Sequence, residues 1–263
     1  MPFTFSHPAA VVPFAKTRLS LSALVVGSMS PDFIYFVYLK PNGESTHTLS
    51  GIFLYCLPAG LLVLFIYHLL VKMPLQSILP CRAPQHGFDL SRPFTLQSMG
   101  RLALVAFSVV IGAFTHLAWD AFTHEDGWVL KFLPFLNVTV FDLGFDKVPL
   151  TRILHHFSSV AGALGLIAWT RKWAAGLPGK SRSGQNDPEP LFGAKIRTAM
   201  LWVSVSVAAG LLYAWTQAHP IQNYDEFRQM MVQALVATGS TFFSITLLYC
   251  IFWHMAKRRA PSR

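Results

Sequence analysis

Five stretches of this chain are long, apolar and wholly free of Lys, Arg, Asp and Glu: Gly51 to Val71, Leu102 to Trp119, Ile153 to Thr170, Thr198 to Gln217 and Ala234 to Ala256. Each approaches the roughly 20 residues that carry an α-helix across a bilayer. All 21 basic and 12 acidic residues fall in the connections and termini, as expected when a charge in hydrocarbon costs several kcal/mol. This pattern predicts an all-α polytopic transmembrane helix bundle. Composition agrees: 53% of the residues are hydrophobic and 13% charged, against about 25% charged in soluble domains. Mean hydropathy is +0.44.

The connections alternate in charge. Lys72, Arg82, Arg92 and Arg101 follow the first stretch, and Arg171, Lys172, Lys180, Arg182, Lys195 and Arg197 follow the third. The stretch from Asp120 to Arg152 is mildly acidic, as is the last connection, and the tail is basic again with Lys257, Arg258, Arg259 and Arg263. By the positive-inside rule the basic loops and the C-terminus are cytoplasmic. The net charge of +9 is therefore a topology signal, and no nucleic-acid partner is expected. MPFTFSHPAA lacks a basic n-region, which predicts no removable signal peptide. Cys56, Cys81 and Cys250 make neither a metal-spaced pair nor a disulfide framework.

Leu19 to Leu39 is apolar but interrupted by Ser28, Ser30, Pro31 and Asp32. A proline and a carboxylate at its centre predict two short helices meeting at SPD, interfacial or re-entrant, alongside about five spans. A segment that spanned outright would bring the total to six. Leu177 to Pro190 is rich in Gly, Ser, Pro and charge and reads as a cytoplasmic linker. It separates a motif-bearing part, 1–175, from a plainer two-span hairpin, 198–263, with 176–197 between.

The chemistry gathers at one side. His7, His47, His116, His124, His155 and His156 come from separate regions, yet this topology puts them all at the extracytoplasmic edge, with Asp32 and Asp120. In THLAWDAFTHEDGW, His116, Asp120 and His124 recur at steps of four and share a helix face. Imidazole nitrogen and carboxylate oxygen are ordinary ligands for a divalent metal, zinc above all. The competing reading is interfacial: histidines suit membrane edges, where they hydrogen-bond nearby backbone. Asp32 also serves as a helix cap. His155 and His156 are about 100° apart on a helix, so one of them is structural. Asp142 and Asp146 read as solvated loop acids, His68, His86, His219 and His254 as structural, and the tryptophans as lipid-facing or interfacial anchors.

MPFTFSHPAAVVPF, GSMSPDFIYF, STHTLSG, THLAWDAFTHEDGW and LHHFSSVAG together resemble the DUF4184 family of bacterial membrane proteins. That family is in turn similar to the YdjM-type inner-membrane metal-dependent hydrolases, with an early His, a PD element, a TH before a span and HxxxD later. The resemblance implies His7, Asp32, His47, His116 and Asp120 as the metal set. LHHFSSVAG resembles a QHxSS element, which implies His156 as the functional member of its pair.

The expected function is a membrane-embedded, zinc-dependent hydrolase at the extracytoplasmic surface of the bacterial inner membrane. Its substrate would be a lipid or another amphiphile, with His156 and His124 as candidate catalytic groups. The alternative is a non-catalytic membrane protein whose His/Asp cluster is structural or holds a structural metal. Transport is disfavoured, because no span carries a charge at mid-depth.

Overall fold

The computed structural model of the chain describes residues 4–40, 43–78, 98–144, 146–175, 190–217 and 224–259. The protein is all-α and polytopic. Among the described residues, six helical stretches are long and apolar enough to cross a membrane: Leu21–Tyr38, Leu49–Leu75, Met99–Thr123, Leu150–Trp173, Arg197–Gln217 and Gln229–Arg258. Five correspond to the charge-free stretches of the sequence. The sixth is the segment broken at SPD. There α1 (Leu21–Met29) and α2 (Phe33–Tyr38) meet through a single 3-10 turn, Ser30–Asp32. Pro31 sits in the first positions of that turn, where a missing N–H costs least, so the chain runs on as helix.

The chain divides into two compact units. The first comprises Met1–Ile34, Gly43–Leu64 and Leu96–Ala175. Its N-terminal 3-10 helix, Thr4–Lys16, contains Pro8 and Pro13. The reversal out of it is held by the Thr17 backbone N–H and hydroxyl, both donating to the Phe14 carbonyl. At the reversal the Ser20 N–H donates to Ser108 Oγ; at the other end Thr4 Oγ1 donates to Asp32 Oδ2. The N-terminal helix and α1 therefore form an antiparallel hairpin laid along α6 (Met99–Thr123). Ser108 lies twelve residues before Asp120, so the hairpin reaches about 18 Å down α6.

Small residues allow α1 to lie against α6. A Cβ on Gly27 would overlap the Val109 main chain, and one on Gly112 would overlap the Leu24 carbonyl and come within 2.7 Å of the Ser28 nitrogen. Ser108 and Gly112 make a small-xxx-small stripe, the pattern that lets membrane helices approach backbone to backbone. Ser98 caps α6, its Oγ accepting from the Arg101 N–H. Thr48 caps α3 (Leu49–Gly51), accepting from the Gly51 N–H.

The chain from α3 runs on through a π turn, Ile52–Cys56, into α4 (Leu57–Ile66), and through a second, Tyr67–Val71, into α5 (Lys72–Ile78). Each π turn closes just before a proline, Pro58 and Pro74, whose ring crowds the carbonyl four residues back. Past α6, the ascent to α7 (Leu150–Ala175) passes two 3-10 turns, Trp128–Lys131 and Pro134–Asn137. A two-stranded hairpin follows, β1 (Thr139–Asp142) antiparallel to β2 (Lys147–Pro149). Gly144 takes the positive φ of its turn. Val129 and Leu136 bury against Ala121, Leu150 and Leu154, while Trp128, Phe132, Phe135 and Phe141 face outward.

The second unit comprises Tyr35–Asn42, Phe65–Thr95 and Gly176–Arg263. Its α8 (Pro190–Gln217) and α9 (Tyr224–Arg259) pack where Gly210 meets Thr238 and the Ala234 carbonyl. His254 has a structural duty: Pro74 cannot donate to the Leu70 carbonyl, and His254 Nε2 donates to it instead at 3.0 Å. Of the 176–197 linker of the sequence reading, 190–197 form the start of α8, while 176–189, His86 and His219 lie outside the described residues.

Gly112→Val is expected to lower stability by about 1–3 kcal/mol or more by overpacking main chain, read as a drop in the thermal midpoint in detergent. Gly100→Ala, where nothing lies within 4 Å of the added Cβ, should leave the midpoint unchanged or raise it. Equal behaviour of the two would show that the α1–α6 approach carries no stability.

Candidate metal centre

Four elements of the first unit deliver side chains to one point. His116 and Asp120 project from the last turns of α6, one turn apart, as their spacing requires. Asp32 comes from the SPD turn, His47 from the turn capping α3, and His7 from the N-terminal 3-10 helix. His7 and His116 are wholly buried, and Asp32 and Asp120 are buried. The five residues that the sequence patterns single out do converge.

The donor atoms alternate. His116 Nε2 lies 3.3 Å from Asp120 Oδ2 and 3.6 Å from Asp32 Oδ1. His47 Nε2 lies 3.3 Å from Asp32 Oδ1 and 3.6 Å from Asp120 Oδ2. His7 Nε2 is 3.7 Å from Asp120 Oδ1. Ligands about 2.0–2.1 Å from a tetrahedral zinc stand about 3.3–3.4 Å apart, close to these spacings. The donors of Asp32, His47 and His116 lie within 4.8 Å of one another, as do those of His7, His116 and Asp120. Either set is compact enough to share a cation.

Tautomers follow from the surroundings. His116 Nδ1 is 2.8 Å from the Ser28 carbonyl and His47 Nδ1 is 2.9 Å from the Gly43 carbonyl. A carbonyl only accepts, so each Nδ1 carries the hydrogen. Each Nε2 faces two carboxylates. A bare lone pair against an anion at 3.3 Å repels, so either a proton on Nε2 or a cation among these atoms satisfies the contact. His116 Nε2, Asp120 Oδ1 and both nitrogens of His7 are buried with no hydrogen-bond partner among the described residues. Orphans of this kind cost about 1–3 kcal/mol each unless something is bound. The donor set fits a divalent metal, with the Nδ1–carbonyl bonds orienting the rings from behind.

The remaining predicted residues lie farther out. His124 Nδ1 contacts the Asp120 main-chain carbonyl at 3.2 Å and Oδ1 at 3.6 Å. The His155 ring is 5.3 Å from that of His124, and the His156 ring 5.0 Å from that of His155. His155 is the buried member of the pair and His156 the exposed one. Asp146 bonds Arg152 at 2.6 Å, and Glu125 holds the same guanidinium. Asp142 accepts from the Gly144 N–H in the hairpin turn. None of these three acids joins the centre.

Three contributors escaped the sequence patterns. Thr4 orients Asp32, the Ser28 carbonyl orients His116, and Trp119 sets its edge against the His7 ring at 5.5 Å. Trp119 Nε1 donates to Ser158 Oγ on α7. Thr4 and Trp119 lie inside the quoted motifs MPFTFSHPAAVVPF and THLAWDAFTHEDGW, but their residue types alone signal no part in a metal centre; a main-chain carbonyl leaves no mark in sequence.

A family model described as a domain of unknown function, DUF4184, matches residues 1–251. The chain belongs to the DUF4184 family. No curated protein and no solved structure matches it. The match takes in all five converging residues of this DUF4184 chain, together with His124, His155 and His156.

Burial, and then the neighbouring His116 ring, push the His7 imidazole down to about 3, against the pull of Asp120 and Asp32. Burial also lowers His124, opposed by Asp120. Below the ordinary imidazole value of 6.5 the unfolded chain takes up a proton at His7 that the folded chain refuses until about pH 3. The stability contributed by neutral His7 is thus full above pH 6.5 and lost as pH falls toward 3. Metal-free wild type should lose thermal stability across that window more steeply than His7→Phe; equal slopes would remove His7 as the source.

Proposed function

We propose that this protein is a membrane-embedded metal-dependent hydrolase, with a divalent ion, zinc by its donor set, held by His47, His116, Asp32 and Asp120. The observation that carries the reading is the convergence of two imidazole Nε2 atoms and two buried carboxylates, each ring oriented from behind by a main-chain carbonyl, at spacings that suit tetrahedral ligands of one ion. The resemblance to the YdjM-type inner-membrane hydrolases supports the same reading. An ion bound there would supply Lewis acidity and a water whose pKa is lowered to about 7.

The chain's own groups divide the remaining work. Ser28 and Gly43 fix the tautomers of His116 and His47, and Thr4 fixes Asp32. His124 turns its Nδ1 to the Asp120 main-chain carbonyl, which leaves Nε2 as its proton-accepting nitrogen, and His155 and His156 extend the line from His124 to the surface.

The positive-inside pattern of the loops supports a centre on the extracytoplasmic side of the bacterial inner membrane, with the C-terminus in the cytoplasm. The segment after His124 exposes Trp128, Phe132, Phe135 and Phe141 next to the centre. Aromatic side chains of this kind sit at the headgroup level of a bilayer, which favours a lipid or another amphiphile as substrate.

A second reading has its own support: with His47 and His116 doubly protonated, the same contacts become ion pairs that clamp the N-terminal hairpin onto α6. Elemental analysis separates the two. Purified wild type should carry stoichiometric metal, and His116→Ala or Asp120→Ala should carry almost none and hydrolyse lipid vesicles at least 100-fold more slowly; a metal-free wild type sinks the hydrolase. Thr4→Val, which removes only the support of Asp32, should weaken metal affinity about 10–100-fold in a competition titration. For orientation, Asp126→Cys in a Cys81→Ser background should react with an impermeant maleimide added outside intact cells. Labelling only after lysis would invert the topology.

A further inference from the structure

His116 belongs to both compact donor sets, yet it has one lone pair to give. Its Nδ1 is committed to the Ser28 carbonyl, so Nε2 alone can ligate, and it can ligate one ion. The second set, with His7, therefore needs another explanation.

The ring geometry supplies it. His7 stacks on His116 with centroids 3.7 Å apart and planes 18° from parallel. A ligating lone pair lies in the plane of its own ring. Two stacked rings consequently aim at two different points, offset by about the stacking distance, rather than at one. Asp120 spans both layers: Oδ2 lies 3.3 Å from His116 Nε2 and Oδ1 lies 3.7 Å from His7 Nε2. The two donors of the His7 layer, Nε2 and Oδ1, are both buried without a hydrogen-bond partner among the described residues.

We propose that His7 Nε2 and Asp120 Oδ1 hold a second divalent cation, with the Asp120 carboxylate bridging it to the ion of the His47, His116, Asp32 and Asp120 set. The offset of the stacked rings matches the about 3.5–4 Å separation of carboxylate-bridged two-metal centres. His124 Nδ1, 3.6 Å from the same Oδ1, flanks the second position. Only two protein donors and this neighbour define it, so it binds more weakly than the first and leaves coordination positions for solvent and substrate oxygen. The inference rests on the proposed metal centre and adds a second ion to it.

The test is stoichiometry on the full chain. Protein stripped with chelator and titrated with Zn²⁺ should take up two ions per chain, the second at least tenfold more weakly, and His7→Ala should take up one. Mn²⁺-loaded wild type should give the electron paramagnetic resonance spectrum of an exchange-coupled pair, a readout that does not depend on whether the variant folds. One ion per wild-type chain with an uncoupled Mn²⁺ spectrum overturns the second site and leaves the mononuclear hydrolase standing. Two ions in both wild type and His7→Ala also overturn it, by placing the second ion elsewhere. No ion in wild type removes the proposed function as well.

Discussion

The main chain of α1 lies directly on the main chain of α6, and the centre follows from that contact. With Gly27 over Val109 and Gly112 under Leu24 and Ser28, no side chain separates the two helices. The Ser28 carbonyl is thereby brought within 2.8 Å of His116 Nδ1, and Asp32, one turn farther along, faces His116 Nε2. A larger residue at either glycine would push apart the two halves of the donor set. Packing and chemistry are the same constraint here: a membrane interior offers no water to satisfy a displaced carboxylate, so helix approach and ligand placement have to be settled together.

Charge balance makes the second demand. Two buried carboxylates meet imidazoles whose other nitrogens are already spent on main-chain carbonyls. Such a group is satisfied by protons or by metal, and the difference is one between a clamp and a reactive centre. The 3-10 helix of the N-terminus adds to this: Thr4 bonds one carboxylate, and His7 stacks on a ligand ring while facing the other carboxylate. Thr4 and His7 are thus part of the centre.

The surroundings combine rigid ties with an outward-facing aromatic segment. Trp119, Ser158 and Gly162 lock α7 to α6 and to Ser6, and Glu125 and Asp146 hold Arg152 at the start of α7. Outside these ties the segment 128–143 turns aromatic side chains away from its own small core. Among the described residues the charged site groups are buried, while many large apolar side chains face outward, as a lipid environment allows.

The amino-acid sequence by itself determined the membrane architecture, because burying charge in hydrocarbon is too costly to hide: every charge-free stretch is a helix. It also determined that His116 and Asp120 share a face, since a spacing of four is helical geometry; His7, Asp32 and His47 were implied as their companions by the family resemblance. Tertiary structure decided the rest. SPD became a passing 3-10 turn, and the reversal moved to Thr17–Ser20, because Pro31 fell where no N–H was needed. Of two adjacent histidines, His155 turned inward and His156 outward, a choice set by helix rotation against α6. The tautomers, the His7–His116 stack and the support from Thr4 depend on main-chain carbonyls and on residues far apart in the chain. Local spacing carries no information about such long-range contacts.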